Sequence, residues 1–216
     1  MQETYITVQR TARYFTLGNP TDKFQQLWFV CHGYGQLANS FLNNFDALDD
    51  GSRLIVAPEG LSRFYLSGTS GRIGASWMTR EDRLNEIENY VNYLNAIYQN
   101  VLSDLPQRHI QVVCLGFSQG TSTVCRWIWQ KKVPVDHLIL WAGSIPPEID
   151  FSEWGDFFLK CHLSIVVGDQ DPYISESDIE SYEARLMKKG VPYDLIRFKG
   201  GHQLDEKTLK RLSIVR

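Results

Sequence analysis

The sequence has no run of about 20 apolar residues that could cross a bilayer. Nor does its start, MQETYITVQR, carry an apolar stretch of signal-peptide length behind a basic end. These absences predict a soluble, cytoplasmic protein without stable membrane anchoring. Basic blocks are missing too: 22 Lys and Arg stand interspersed with 25 Asp and Glu, for a net charge of −3, which argues against a nucleic-acid partner. Cysteine is scarce. Cys31, Cys114, Cys125 and Cys161 show no Cys-x-x-Cys spacing, and three of them fall in or beside apolar runs, so they read as buried thiols rather than metal or redox groups. No internal repeat, low-complexity tract or long linker divides the 216 residues, which predicts a single domain able to bury a core without staples. A small molecule is the default partner.

What the chain does contain is a series of short apolar runs: LWFVCHG (27–33), RLIVAPEG (53–60), IQVVCLG (110–116), HLILWAG (137–143), LSIVVGD (163–169) and YDLIRF (193–198). Near-continuous hydrophobicity means that both faces of a strand are covered, as in a parallel sheet between helices. Ahead of these runs, TYITVQ and RYFTLG around a polar connection predict an N-terminal antiparallel hairpin. From Arg80 to Leu102 apolar residues recur at steps of three and four, with Thr79 and Asp82 in capping-box spacing and Pro106 just beyond. A second helix is expected from Ser177 to Lys189, with Ser177 and Glu180 as its box and Gly190 as its stop. The alternation of strand and helix predicts an α/β domain with a mostly parallel central sheet and helices on both faces. One connection is long: residues 58–77 hold four glycines together with Phe64, Tyr65 and Trp77, and read as an ordered loop facing a substrate.

Gly116-Phe117-Ser118-Gln119-Gly120 matches Gly-x-Ser-x-Gly, a pattern that chance supplies in roughly one chain in fourteen of this length. Its context is more telling, because a buried strand precedes it and a helix follows, as a strained nucleophile elbow requires. A serine hydroxyl needs a base, and the base an acid that fixes its tautomer. Of the five histidines, His109, His137 and His162 stand before strands, at the opposite edge of the sheet. Only His32 and His202 stand at carboxyl strand ends, where open α/β sheets place their sites. His32 precedes the serine within HGYG and suits a loop-organising role, which makes His202 the candidate base. Asp171, beyond the strand 163–168, is the candidate acid; Asp169 is nearer the strand end and suited to bonding the turn. Oxyanion donors are expected from the amide of Gln119 at the helix N-terminus and from that of Tyr34, turned inward by Gly33 and Gly35.

These residues resemble the serine esterases of the α/β-hydrolase superfamily, specifically the phospholipase/carboxylesterase group that includes acyl-protein thioesterases. The carriers are HGYG (32–35), PEG (58–60), SW (76–77), GFSQG (116–120), GDQDPYI (168–174) and GGH (200–202). The resemblance implies an α/β-hydrolase fold with no large lid domain, an open acyl groove, no cofactor and no metal. It implies the same Ser118, His202 and Asp171 triad and the same oxyanion amides. The chain departs from the group at Gln36, where members often have Asp, and at Thr121, where they often have another small residue. Between Leu61 and Ala75 the loop is poor in apolar residues, which favours esters of short to medium acyl groups over long-chain acylated proteins. Tyr65, Trp77, Trp141 and Ile145 are the candidates to line the pocket. Two other readings share the scaffold: a ligand- or partner-binding relative without catalysis, and a peptidase or acyltransferase.

Overall fold

In a computed structural model, which describes residues 1–19, 24–105, 110–150, 154 and 156–214, the apolar runs all become strands. The elements in chain order are β1 (Tyr14–Leu17), β2 (Gln26–Cys31), α1 (Ala38–Leu42), a 3-10 turn (Asn43–Leu48), β3 (Arg53–Pro58), β4 (Ser62–Tyr65), β5 (Ile73–Ser76), α2 (Arg83–Ser103), β6 (Gln111–Phe117), α3 (Gln119–Lys131), β7 (His137–Trp141), α4 (Phe157–Lys160), β8 (His162–Gly168), α5 (Glu176–Lys188), β9 (Asp194–Phe198) and α6 (Glu206–Leu212). Seven strands form one sheet in the order β1-β3-β2-β6-β7-β8-β9. All neighbours are parallel except β1 and β3.

Alternation along the strands explains why the runs are continuous in apolar character. On β2, Leu27, Phe29 and Cys31 face the side covered by α2, α3 and α5, while Trp28 and Val30 face α1, the 3-10 turn and α6. Both sides are sealed, so polarity has nowhere to alternate. The four cysteines sit within this packing as free buried thiols, and burial pushes the Cys161 thiol up to about 12.

Three local expectations need correction. The antiparallel element at the start of the chain exists, but it is not a hairpin: residues 4–9 form no strand, and β1 pairs instead with β3, Tyr14 opposite Pro58 and Leu17 opposite Ile55. Tyr5, Ile6 and Val8 are exposed, so their alternating pattern has no apolar surface to cover. The long helix starts only at Arg83, because Asp82 adopts a left-handed backbone (φ 48°) and caps nothing with its side chain. Thr79 instead donates its amide to Glu86 Oε2 at 2.6 Å. The cap of α5 lies two residues earlier than expected. Ser175, extended as a cap must be, accepts from the amide of Asp178, whose carboxylate accepts in return from the Ser175 amide. Gly190 (φ 65°) does end that helix, its amide bonding Met187 O while Val191 bonds Leu186 O. Pro106 and His109 lie outside the described residues.

Chain order places a switch at the centre of the sheet. β3 lies on one side of β2 and β6 on the other, so the loops after β2 and β6 leave in opposite directions and open a crevice between them. Residues 32–36 and 118–120 border it.

Candidate active site

The turn from β6 into α3 is tight enough that both its glycines are obligatory. A Cβ at Gly116 would meet Gly120 O at 2.4 Å, and one at Gly120 would meet Cys31 O at 2.1 Å. Between them Ser118 takes φ 53° and ψ −116°, a conformation that L-residues adopt only under constraint. Its amide donates to Trp141 O at 2.9 Å, and its carbonyl accepts from both the amide and the hydroxyl of Thr121, at 3.0 and 2.7 Å. Thr121 thus ties down the carbonyl of Ser118 with its hydroxyl.

His202 donates from Nδ1 to Asp171 Oδ2 at 2.7 Å. The other oxygen of Asp171 accepts from the amide of Tyr173 at 2.9 Å, and the carboxylate is fully buried. Both oxygens are therefore held, so the imidazole has one orientation in which Nε2 faces away from the acid. The ring packs against Phe117, the neighbour of Ser118, at 4.9 Å, and against the edge of Tyr173 at 4.8 Å. The hydroxyl of Ser118 makes no hydrogen bond to His202 among the described residues, a looseness common in unliganded sites. Asp169 does bond the turn, accepting from the amide of Gly200 at 2.9 Å.

Tyr34 and Gln119 stand on opposite sides of the crevice. Gln119 opens α3, where the first amides have no acceptor within the helix. Tyr34 lies in the loop after β2, which two bonds to β5 fix: Gly35 N donates to Ala75 O at 2.9 Å, and Ala75 N to Gln36 O at 3.2 Å. The side chain of Gln36 closes this loop from within, accepting from the amide of Gly33 at 2.7 Å. Gln36 therefore supplies the loop's internal acceptor at the position where the resembled family often has Asp.

Sequence reasoning missed the side chain of Gln119. Its Oε1 accepts from the amide of Trp77 at 3.1 Å, and its Nε2 donates to Met78 O at 2.8 Å. One residue thus carries the elbow's first amide and fastens the end of β5. His32 organises the same region: Nδ1 donates to Gly33 O at 2.8 Å and Nε2 accepts from the amide of Gly60 at 2.9 Å. Burial lowers its pKa to about 4, against a weaker upward pull from the Gly33 bond and Glu59. Glu59, itself buried, accepts from Arg13 and Arg63. Half-buried glutamine and buried glutamate contacts leave no periodic trace in a sequence.

The residues expected to line a pocket separate sharply. Tyr65 is exposed on the β4–β5 hairpin, with which residues 62–76 fold back as an ordered arm. Trp77, Trp141 and Ile145 correct the expectation, since each is sealed from solvent. Trp77 lies against the His32 ring and donates to His32 O at 2.8 Å. Trp141 donates to Gln203 O at 2.9 Å, next to His202 in the chain. Ile145 donates its amide to the Tyr182 hydroxyl at 3.2 Å. All three support the loops from beneath. Far from the crevice, at the opposite edge of the sheet, the His137 and His162 rings meet at 4.7 Å.

No protein-family model and no curated protein matches the chain. Solved structures do. The acyl-protein thioesterase 2 of Zea mays superposes with a TM-score of 0.68 at 17% identity, over 93% of this chain and 96% of that one. A carboxylesterase from Mesorhizobium loti gives 0.67 at 17% identity, over 92% and 91%, and the Bacillus cereus carboxylesterase 0.63 at 13%, over 93% and 91%. The chain has the α/β-hydrolase fold, without a large added domain among the described residues.

Proposed function

We propose that this protein is a serine hydrolase that cleaves carboxylic or thio esters of short to medium acyl chains. Ser118 Oγ attacks the ester carbonyl carbon while His202 Nε2 takes its proton, and Asp171 holds the imidazole in the tautomer that can accept. The amides of Tyr34 and Gln119 meet the oxyanion. His202 then passes the proton to the departing alcohol or thiol, leaving an acyl-Ser118 ester. Water attacks that ester with His202 again as base, releasing the acid and restoring the serine.

The observation that carries this reading is the backbone at Ser118, held at φ 53° and ψ −116°, with the ring of His202 packed on the adjoining Phe117. Such strain costs about 1–3 kcal/mol and clusters at working sites, and an ordinary tight turn would place glycine there. The neighbouring thioesterase and carboxylesterase structures support the same chemistry.

The test is labelling by a fluorophosphonate, which reacts with activated serines. One label per chain is expected, lost in Ser118→Ala together with at least about a thousandfold in p-nitrophenyl butyrate turnover. A wild-type protein that takes no label refutes the proposal.

A further inference from the structure

Two concavities flank the crevice, and their walls differ in chemistry. One, of about 410 Å³, runs along the loop after β2 and mixes Gln36, Ser40 and Arg72 with Leu37, Phe41, Leu66 and Ile73. The other, of about 250 Å³, lies between the end of the sheet and α5, with Ile165 and Val167 of β8, Leu195 of β9 and Ile179 of α5 among its walls. Its mouth includes Gly143, Ser144 and Tyr173. Tyr173 is the residue whose ring meets His202 at 4.8 Å. Gly143 lies against the elbow itself, where a Cβ would come to 3.0 Å from Ser118 O.

We propose that the second cavity is the acyl pocket and that it selects medium chains, hexanoyl to decanoyl; this rests on the esterase reading above. Its mouth adjoins both the base and the backbone of the nucleophile, while β8, β9 and α5 give it an aliphatic wall. A chain attached to Ser118 enters along that wall, and the groove along the first loop, which carries Gln36 and Arg72, is left to the alcohol. Size sets the limit. A cavity of about 150 Å³ holds benzene, so about 250 Å³ accommodates roughly ten carbons at the same packing. Each methylene that enters raises kcat/KM about fourfold until the cavity is full. Asp178 and Glu183 also border the cavity, so acyl groups ending in a carboxylate, such as succinyl, are disfavoured.

The experiment is a p-nitrophenyl ester series from acetate to palmitate on the full chain, with Ser144→Trp and Leu195→Phe. Ser144 is exposed at the mouth, so an indole there obstructs entry without disturbing the core. Leu195→Phe shortens the interior from the opposite side. The wild type is expected to peak between hexanoate and decanoate. In Ser144→Trp the peak moves to acetate, the longer esters losing most, and in Leu195→Phe it moves to shorter chains. A wild-type peak at acetate or palmitate overturns the proposal. So does a profile that both variants leave unchanged, or an equal loss on every ester in Ser144→Trp. Fluorophosphonate labelling, run in parallel, separates these outcomes from failure of the esterase reading, which alone would abolish it.

Discussion

Acidification should loosen this protein through one residue, His32. Its Nε2 accepts the amide of Gly60 and its Nδ1 donates to Gly33 O, so the ring is useful only when neutral. Protonation would aim a second N–H at an N–H, inside a pocket that burial already makes hostile to charge. With the folded pKa lowered to about 4 and the unfolded one near 6.5, the sign follows: the unfolded chain takes the proton first. The stabilisation is complete above about pH 6.5 and is lost as pH falls towards about 4, to a total of about 3 kcal/mol. Urea unfolding should therefore show about 2.5 kcal/mol of His32-linked loss between about pH 7 and pH 4.5. The comparison protein is His32→Gln, whose amide can both donate and accept but does not titrate. It should be less stable at neutral pH and show a flatter profile across that window, where carboxylates contribute little because their pairing is lost at lower pH. Parallel pH profiles for the two proteins would refute the reasoning.

Two further substitutions test the elbow and its brace. Gly120→Ala forces a Cβ to 2.1 Å from Cys31 O, a backbone atom, and should cost at least about 3 kcal/mol in urea unfolding; a loss below 1 kcal/mol would mean the turn can relax. Gln119→Ala keeps the backbone amide but strands the Trp77 N–H and leaves Met78 C=O with the Ser76 hydroxyl as its donor. It should cost about 1–3 kcal/mol of stability and lower kcat about tenfold with a smaller change in KM, measured on the best p-nitrophenyl ester; an unchanged kcat would remove the side chain from the positioning of that amide.

Much of the fold could be read before any coordinates, and the reasons are local. Strands buried on both faces declare themselves by unbroken apolar runs, as 137–141 and 163–168 do. The elbow declared itself because Gly116 and Gly120 are demanded by contacts within a few residues and with the neighbouring strand. The failures share a different cause. Residues 4–9 alternate like a strand, yet a strand added beyond β1, the last of the sheet, needs an apolar surface to cover, and Tyr5, Ile6 and Val8 are left exposed. Ser175 and Ser177 are chemically equal candidates for a cap, and the extended backbone beyond the Asp171 turn decides between them. Trp77, Trp141 and Ile145 follow the right strands but point beneath the loops rather than above them. That difference belongs to tertiary packing, as do the side-chain bonds of Gln36 and Gln119.

The β4–β5 arm is anchored by its backbone at the root, and Phe64 packs on Tyr34 at 5.1 Å while Leu66 lies beside Gly35. β5 bonds the loop after β2 through Ala75 and receives the Gln119 side chain at residues 76–78. At its tip, Gly68 and Gly71 have no atom within 4 Å of where a Cβ would stand. The arm is thus a cantilever: its free end, residues 67–71, overhangs the crevice side of the fold, while the fixed end ties the loop after β2 to the start of α3. A lineage, or a protein engineer, can lengthen or replace those residues without disturbing the bonds that hold the two loops together.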